Sequence, residues 1–200
     1  MKLIVATNNK GKIEEIKAML TDFDEVLSLK DIGFTDEAIE DGKTFLENAM
    51  KKALFYYNAL KEKYKDYFFL ADDSGLEVEV LNGEPGVYSA RYAGEKAKDE
   101  DNIKKLLNEM KGIPFEKRNA NFNCTMVLVY PDGETIHKEG KCYGRIAFEP
   151  RGKNGFGYDP VFLTEESNYE KTMAELSKEE KNSISHRRKA LEGIKNELKR

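Results

Sequence analysis

Two adjacent acids, Asp72 and Asp73, stand out within residues 70–94, which read LADDSGLEVEVLNGEPGVYSARYAG. An apolar approach from Tyr67 to Ala71 runs straight into them, and Ser74-Gly75 follows at once. Aromatic residues favour a strand, whereas Ser-Gly favours an abrupt change of direction. The pair is therefore expected where a buried strand surfaces. Neighbouring strand residues point to opposite faces, so only one acid can face a given site unless the strand has ended. Acids at a strand end suit a hard cation such as Mg²⁺, which takes one or two protein carboxylates and leaves its other positions to water and phosphate. A solvated acidic turn would carry the same letters.

Four further clusters could do chemistry. In TNNKGK, Thr7, Asn8, Asn9, Lys10, Gly11 and Lys12 span a strand-to-helix junction. The first turn of a helix leaves N–H groups unsatisfied and carries partial positive charge, so it attracts phosphate. The Walker A pattern is absent, and an ordinary capped helix start remains the alternative. Glu40-Asp41-Gly42 is a second acidic cluster, with Glu47-Asn48 one turn into the next helix. Glu40 matters if the fold brings it near Asp73, because two carboxylates and a triphosphate can complete the coordination of one Mg²⁺.

The third further cluster is NGFGYD. Its glycines permit close backbone approach, Phe156 and Tyr158 flank Gly157 as faces for stacking a base, and Asp159 can accept hydrogen bonds. A plain hairpin connection is the alternative. In KNSISHRR, Ser185 fits an N-cap, and Lys181, His186 and Arg187 gather near the first turn of the last helix. Cations there oppose the helix dipole, and a bound anion or polar ligand would explain them. His137 lies in a strand-like run and reads as structural or surface, while Tyr88, Arg91 and Tyr92 suit either a pocket wall or a brace against a second subunit.

The elements that must position these groups follow from periodicity. Strands are expected at Lys2–Ala6, Val26–Leu29, Phe68–Ala71 and Leu76–Leu81, and short strand material at Pro160–Leu163. Ala120–Tyr130 and Thr135–Ile146 flank Pro131-Asp132-Gly133 as a hairpin. Helical spacing marks Lys10–Leu20, Thr44–Leu60, Asp99–Met110, Lys178–Asn182 and Ser185–Leu198, and Thr44 with Glu47 fits a capping box. Strand-helix-strand followed by a long hairpin implies an α/β fold around a mixed sheet.

Composition narrows the function classes. Two hundred residues suit one domain, or one domain in two lobes, and no linker separates independent parts. The net charge of −4 gives no electrostatic footprint for nucleic acid. Cys124 and Cys142 both lie in apolar strand-like runs and read as buried free thiols. No signal-peptide core and no membrane-length apolar stretch occur, so a soluble, cytoplasmic chain with no membrane partner is expected.

Together the clusters closely resemble the house-cleaning inosine/xanthosine triphosphate pyrophosphatases, the Ham1-like or RdgB-like family. The likeness spans nearly the whole chain: ATNNKGKIEEI, DGKTFLENAMKKA, ADDSGLEVEVLNGEPGVYSARYAG, PRGKNGFGYDPVF, TMAEL and EKNSISHRRKAL stand in the family's order. Asn8 stands where relatives often carry a small residue. The resemblance implies an elongated, two-lobed α/β domain over residues 1–200, ITPase-like or Maf-like, with helices flanking a mixed sheet, the nucleotide in a central cleft, and a homodimer. It implies Mg²⁺-dependent hydrolysis of ITP, dITP and XTP to the monophosphate and pyrophosphate. By the same resemblance Asp73 would be the catalytic acid and a metal ligand, with Glu40 the second ligand, although Asp72 remains an alternative to Asp73. Thr7–Lys12 would hold the phosphates and Ser74 would touch the substrate. Phe156, Gly157, Tyr158, Asp159, Lys181, His186 and Arg187 would form the nucleoside pocket.

Overall fold

A computed structural model of the protein describes Met1–Lys199. Six strands form one mixed sheet in the order β2-β1-β3-β4-β5-β6. The strands are β1 (Lys2–Val5), β2 (Glu25–Ser28), β3 (Tyr67–Val78), β4 (Asn119–Val129), β5 (Thr135–Ile146) and β6 (Phe162–Thr164). β1 is parallel to both neighbours, pairing Leu3 with Val26 and with Phe68, and β6 is antiparallel to β5. The helices are α1 (Lys10–Met19), α2 (Phe45–Leu60), α3 (Asp99–Glu109), α4 (Lys178–Ile184) and α5 (His186–Leu198).

The described residues divide into two compact units, one of residues 1–73, 124–140 and 187–199, the other of residues 74–123 and 141–186. In the first unit, strand parity sorts the core. Leu3, Val5, Leu70, Cys124, Met126 and Leu128 join Ile16 of α1 and Leu191 and Ile194 of α5 in one apolar cluster. The alternate residues Ile4, Phe69, Val127 and Val129 pack instead with Ala49, Ala53 and Tyr56 of α2. This two-residue alternation is the pleat of a sheet covered on both faces. Extended two residues further along β3, it assigns Asp72 to the face of α1 and α5 and Asp73 to the face of α2.

The second unit has its own core of Leu76, Val78, Leu106, Met110, Phe122, Cys142, Phe162 and Met173. Arg118 is buried within it and caps loose chain ends: its guanidinium donates to the carbonyls of Met110, Ile113, Ile146 and Ala147.

Several expectations need correction. β3 does not end at Asp72-Asp73; it runs unbroken through Ser74-Gly75 to Val78, and residues 79–81 form a 3₁₀ turn. Pairing in a sheet outweighs the local Ser-Gly preference. Thr44 does cap α2, its hydroxyl accepting from the Glu47 N–H at 3.1 Å, but the Glu47 carboxylate reaches past it to the Lys43 N–H at 2.7 Å. β6 begins only at Phe162, after a 3₁₀ turn over Asp159–Val161, whereas Ser185, extended directly before α5, holds the expected N-cap position. As expected, both cysteines are buried and free.

Candidate active site

The two aspartates occupy opposite faces with opposite electrostatics. Asp72 is 1% exposed. Its Oδ2 lies 3.1 Å from Lys12 Nζ and 3.5 Å from Arg187 Nε, and the Cys124 thiol points at it from 3.8 Å. Burial alone would raise its pKa, yet Lys12, Arg187 and Lys52 together hold it well below the usual carboxylate range. Arg187 also pairs with Glu15, so its guanidinium is clamped between two acids. Desolvation opposes that charge, but Glu15 and Asp72 outweigh it and raise the Arg187 pKa. Burial, reinforced by Asp72, pushes the Cys124 thiol up and leaves it inert.

Asp73 is also buried, and its Oδ2 accepts from Asn48 Nδ2 at 3.0 Å. Burial here wins. Lys12, Lys52 and the Asn48 bond all pull the carboxyl down and Glu40 pushes it up, yet its pKa still stands at about 6. A carboxyl in that range can take a proton near neutral pH. Lys52, on the same face, donates to the Asp72 carbonyl at 3.0 Å and pairs with Glu40. Burial lowers its pKa, but Asp72 and Glu40 more than compensate.

This donor set fits a hard cation. Asp73 and Glu40 offer carboxylate oxygens, and no group of three or more His, Cys, Asp or Glu is gathered as a metal centre among the described residues. Two carboxylates whose charges feel each other across one lysine suit Mg²⁺, which uses few protein ligands and many phosphate oxygens.

The TNNKGK segment is a built turn. Thr7 is buried and its Oγ1 accepts from the Asn9 N–H at 3.2 Å, while Asn9 Oδ1 caps α1 by accepting from the Lys12 N–H at 3.1 Å. No acid lies in the first turn, and Asn8, Asn9 and Lys10 are exposed. Helix geometry leaves the N–H groups of Lys10 and Gly11 without intrahelical partners. Lys12 is the one cation of this turn held inward, by Asp72.

In the second unit, Asp159 and Lys181 form a buried pair at 2.6 Å, and Asp159 Oδ2 also accepts from the Phe156 N–H at 3.0 Å. Lys181 Nζ stands 4.4 Å from the Phe156 ring centroid, so one carboxylate fixes both the loop and the cation beside its ring. The Gly157 N–H donates to Asp99 at 2.9 Å. Gly152 has φ +89° and faces the Ala174 backbone, so the loop needs a glycine there. Asn154 is bonded to the carbonyls of Ala174 and Leu176, which explains why TMAEL accompanies the loop. His186 stacks on Phe122 with ring centroids 5.0 Å apart.

Two of the nucleoside-pocket residues have other company. The Tyr158 ring belongs to the core and its hydroxyl donates to the Ser89 carbonyl at 2.7 Å. Arg187 spends its guanidinium on Glu15 and Asp72. Ser74 is partly buried in β3, and His137 is exposed.

The likeness suggested by the motifs holds across the molecule. A model of the Ham1 family matches residues 3–197. The chain belongs to the Ham1 family. It is 50% identical over 200 residues to a protein of Clostridium perfringens named dITP/XTP pyrophosphatase, covering 99% of this chain and 97% of that one. A protein of the same name from Thermoanaerobacter pseudethanolicus is 52% identical, covering 98% and 96%. The solved structure of the Staphylococcus aureus Ham1 protein superposes with a TM-score of 0.85 at 43% identity, covering 100% of this chain and 98% of that one.

Three polar groups of this Ham1-family site escaped sequence reasoning. Lys52 reads as one more charge on a solvated helix face, and Glu15 likewise. Asn48 stood only as a neighbour of the acidic loop. Lys52 lies three residues after Ala49 and four before Tyr56, which places it on the same inward helix face.

Proposed function

We propose that the chain hydrolyses non-standard purine nucleoside triphosphates, ITP, dITP and XTP, to the monophosphate and pyrophosphate in a Mg²⁺-dependent reaction. The names of the relatives support the substrate class. The observation that carries the chemistry is the placement of Asp73, a buried carboxylate bound by Asn48 at 3.0 Å on the sheet face where Lys52 pairs with Glu40.

Asp73 and Glu40 would hold the cation, which when bound neutralises phosphate charge and makes a coordinated water more acidic. Lys12, Lys52 and the first N–H groups of α1 supply further positive potential for a triphosphate. Asp73 orients the attacking water and takes its proton as it adds to the α-phosphorus. Asp72 is bound to Lys12 and faces Arg187, and it serves to hold both in place rather than to exchange protons.

Phe156 supplies the face on which a base stacks. Lys181 and His186 are donors for a six-keto oxygen, which hypoxanthine and xanthine carry and adenine does not. Donors left unpaired against an amino group discriminate strongly. A homodimer acting on a cytoplasmic nucleotide pool belongs to the same proposal, and light scattering measures the first part of it.

Hydrolysis of ITP in ¹⁸O-water tests the assignment. Label in the monophosphate, with unlabelled pyrophosphate released, is the expected result. Orthophosphate as the first product would refute it.

A further inference from the structure

Asn48 is 1% exposed and uses both ends of its amide. Its Oδ1 accepts from the Gly42 N–H at 2.7 Å, and its Nδ2 donates to Asp73 Oδ2 at 3.0 Å. A backbone N–H can only donate, so the amide orientation is decided by Gly42 and the NH₂ group must face the carboxylate. Gly42 follows Glu40 by two residues in an irregular loop, whereas Asp73 is fixed in the middle of β3. One side chain on α2 therefore ties the loop that carries one carboxylate to the strand that carries the other. The contact is tight on the loop side as well. A Cβ on residue 42 would come within 2.7 Å of Asn48 Oδ1 and 2.8 Å of Glu47 Cβ, so only glycine lets the loop approach this closely.

We propose that Asn48 is a positioning residue that registers the Glu40 loop against Asp73, so that both carboxylates address one divalent cation. This rests on the assignment of Glu40 and Asp73 as the cation's ligands. The amide touches neither cation nor substrate; it acts through the two acids. Partners of this kind behind metal ligands are worth about 10–100-fold in metal affinity.

The experiment measures Mn²⁺ binding by electron paramagnetic resonance on wild type, Asn48→Ala and Gly42→Ala, with the Mg²⁺ dependence of ITP turnover on the same samples. Asn48→Ala removes the tether, and Gly42→Ala displaces it from the loop side. Both should weaken Mn²⁺ binding and raise the half-saturating Mg²⁺ concentration roughly 10–100-fold, with a much smaller fall in kcat at saturating Mg²⁺. A merely structural role would lower the folded fraction and leave cation affinity per folded molecule unchanged, and that result overturns the proposal. Should one variant fail to fold, the other decides by the same criterion. Wild type that turns ITP over with no divalent cation would instead overturn the ligand assignment, and the proposal with it.

Discussion

Asp72 and Asp73 are adjacent in β3, yet the Asp72 carboxylate faces Lys12 at 3.1 Å while that of Asp73 accepts from Asn48 at 3.0 Å on the other side of the sheet. The pleat separates them, and the covering helices give them opposite roles. With α1 and α5 comes a cluster of cations that keeps Asp72 ionised. On the face of α2, burial outweighs the pull of Lys12, Lys52 and the Asn48 amide and raises Asp73 to about 6.

The two isosteric amides should therefore separate in stability. Asp72→Asn strips a buried carboxylate from Lys12 and Arg187, and breaking such a pair from one side costs on the order of 3 kcal/mol. Its Tm should fall by roughly 10 °C. Asp73→Asn removes a carboxylate that is costly to ionise, and in divalent-free buffer at pH 7 it should stabilise by on the order of 1–3 kcal/mol. Thermal melts of both variants in chelator decide this, and equal destabilisation would contradict the opposite environments.

Stability should also depend on pH through Asp73. Its folded pKa, about 6, lies above the ordinary aspartate value of 3.8, so its contribution is fully present below about pH 4 and is lost as pH rises through 6. Urea melts of wild type against Asp73→Asn in chelator should diverge across pH 4–7. Added Mg²⁺ competes with the proton for the same oxygen, so its stabilising effect should grow over that window. A wild-type-minus-variant difference that stays flat with pH would argue against a raised Asp73.

The sheet, the five helices and the hairpin were legible because each carries a clean period or a turn signal. Ser74-Gly75 misled because the local preference says nothing of strands pairing on either side. In a continuous β3, parity alone puts Asp72 and Asp73 on opposite faces. Sequence proximity sets Tyr158 beside Phe156 and Arg187 beside His186, but Tyr158 turns its hydroxyl to the distant Ser89 carbonyl, and Arg187 pairs with Glu15. Pairings across that much chain leave no local trace.

The Gly-aromatic loop makes its own prediction. Phe156→Ala removes the stacking face, worth about 1–3 kcal/mol per base, and should raise KM for ITP by roughly 10–100-fold with a smaller change in kcat. Tyr158→Phe loses only a hydrogen bond to Ser89, so it should lower Tm modestly and leave KM near wild type. Steady-state kinetics on ITP distinguishes the two, and a KM unmoved by Phe156→Ala would remove that ring from base recognition.

In the proposed pyrophosphatase Asp73 activates the attacking water, and hypoxanthine and xanthine nucleotides are preferred to adenine ones. Pyrophosphate release from ITP, XTP, dITP, GTP and ATP, measured with Mg²⁺ on wild type and Asp73→Asn, tests it most directly. Wild type should turn over ITP, dITP and XTP far faster than ATP, and Asp73→Asn should lose about 10²–10⁴-fold on its best substrate. Equal rates on ITP and ATP, or wild-type turnover by Asp73→Asn, would contradict it.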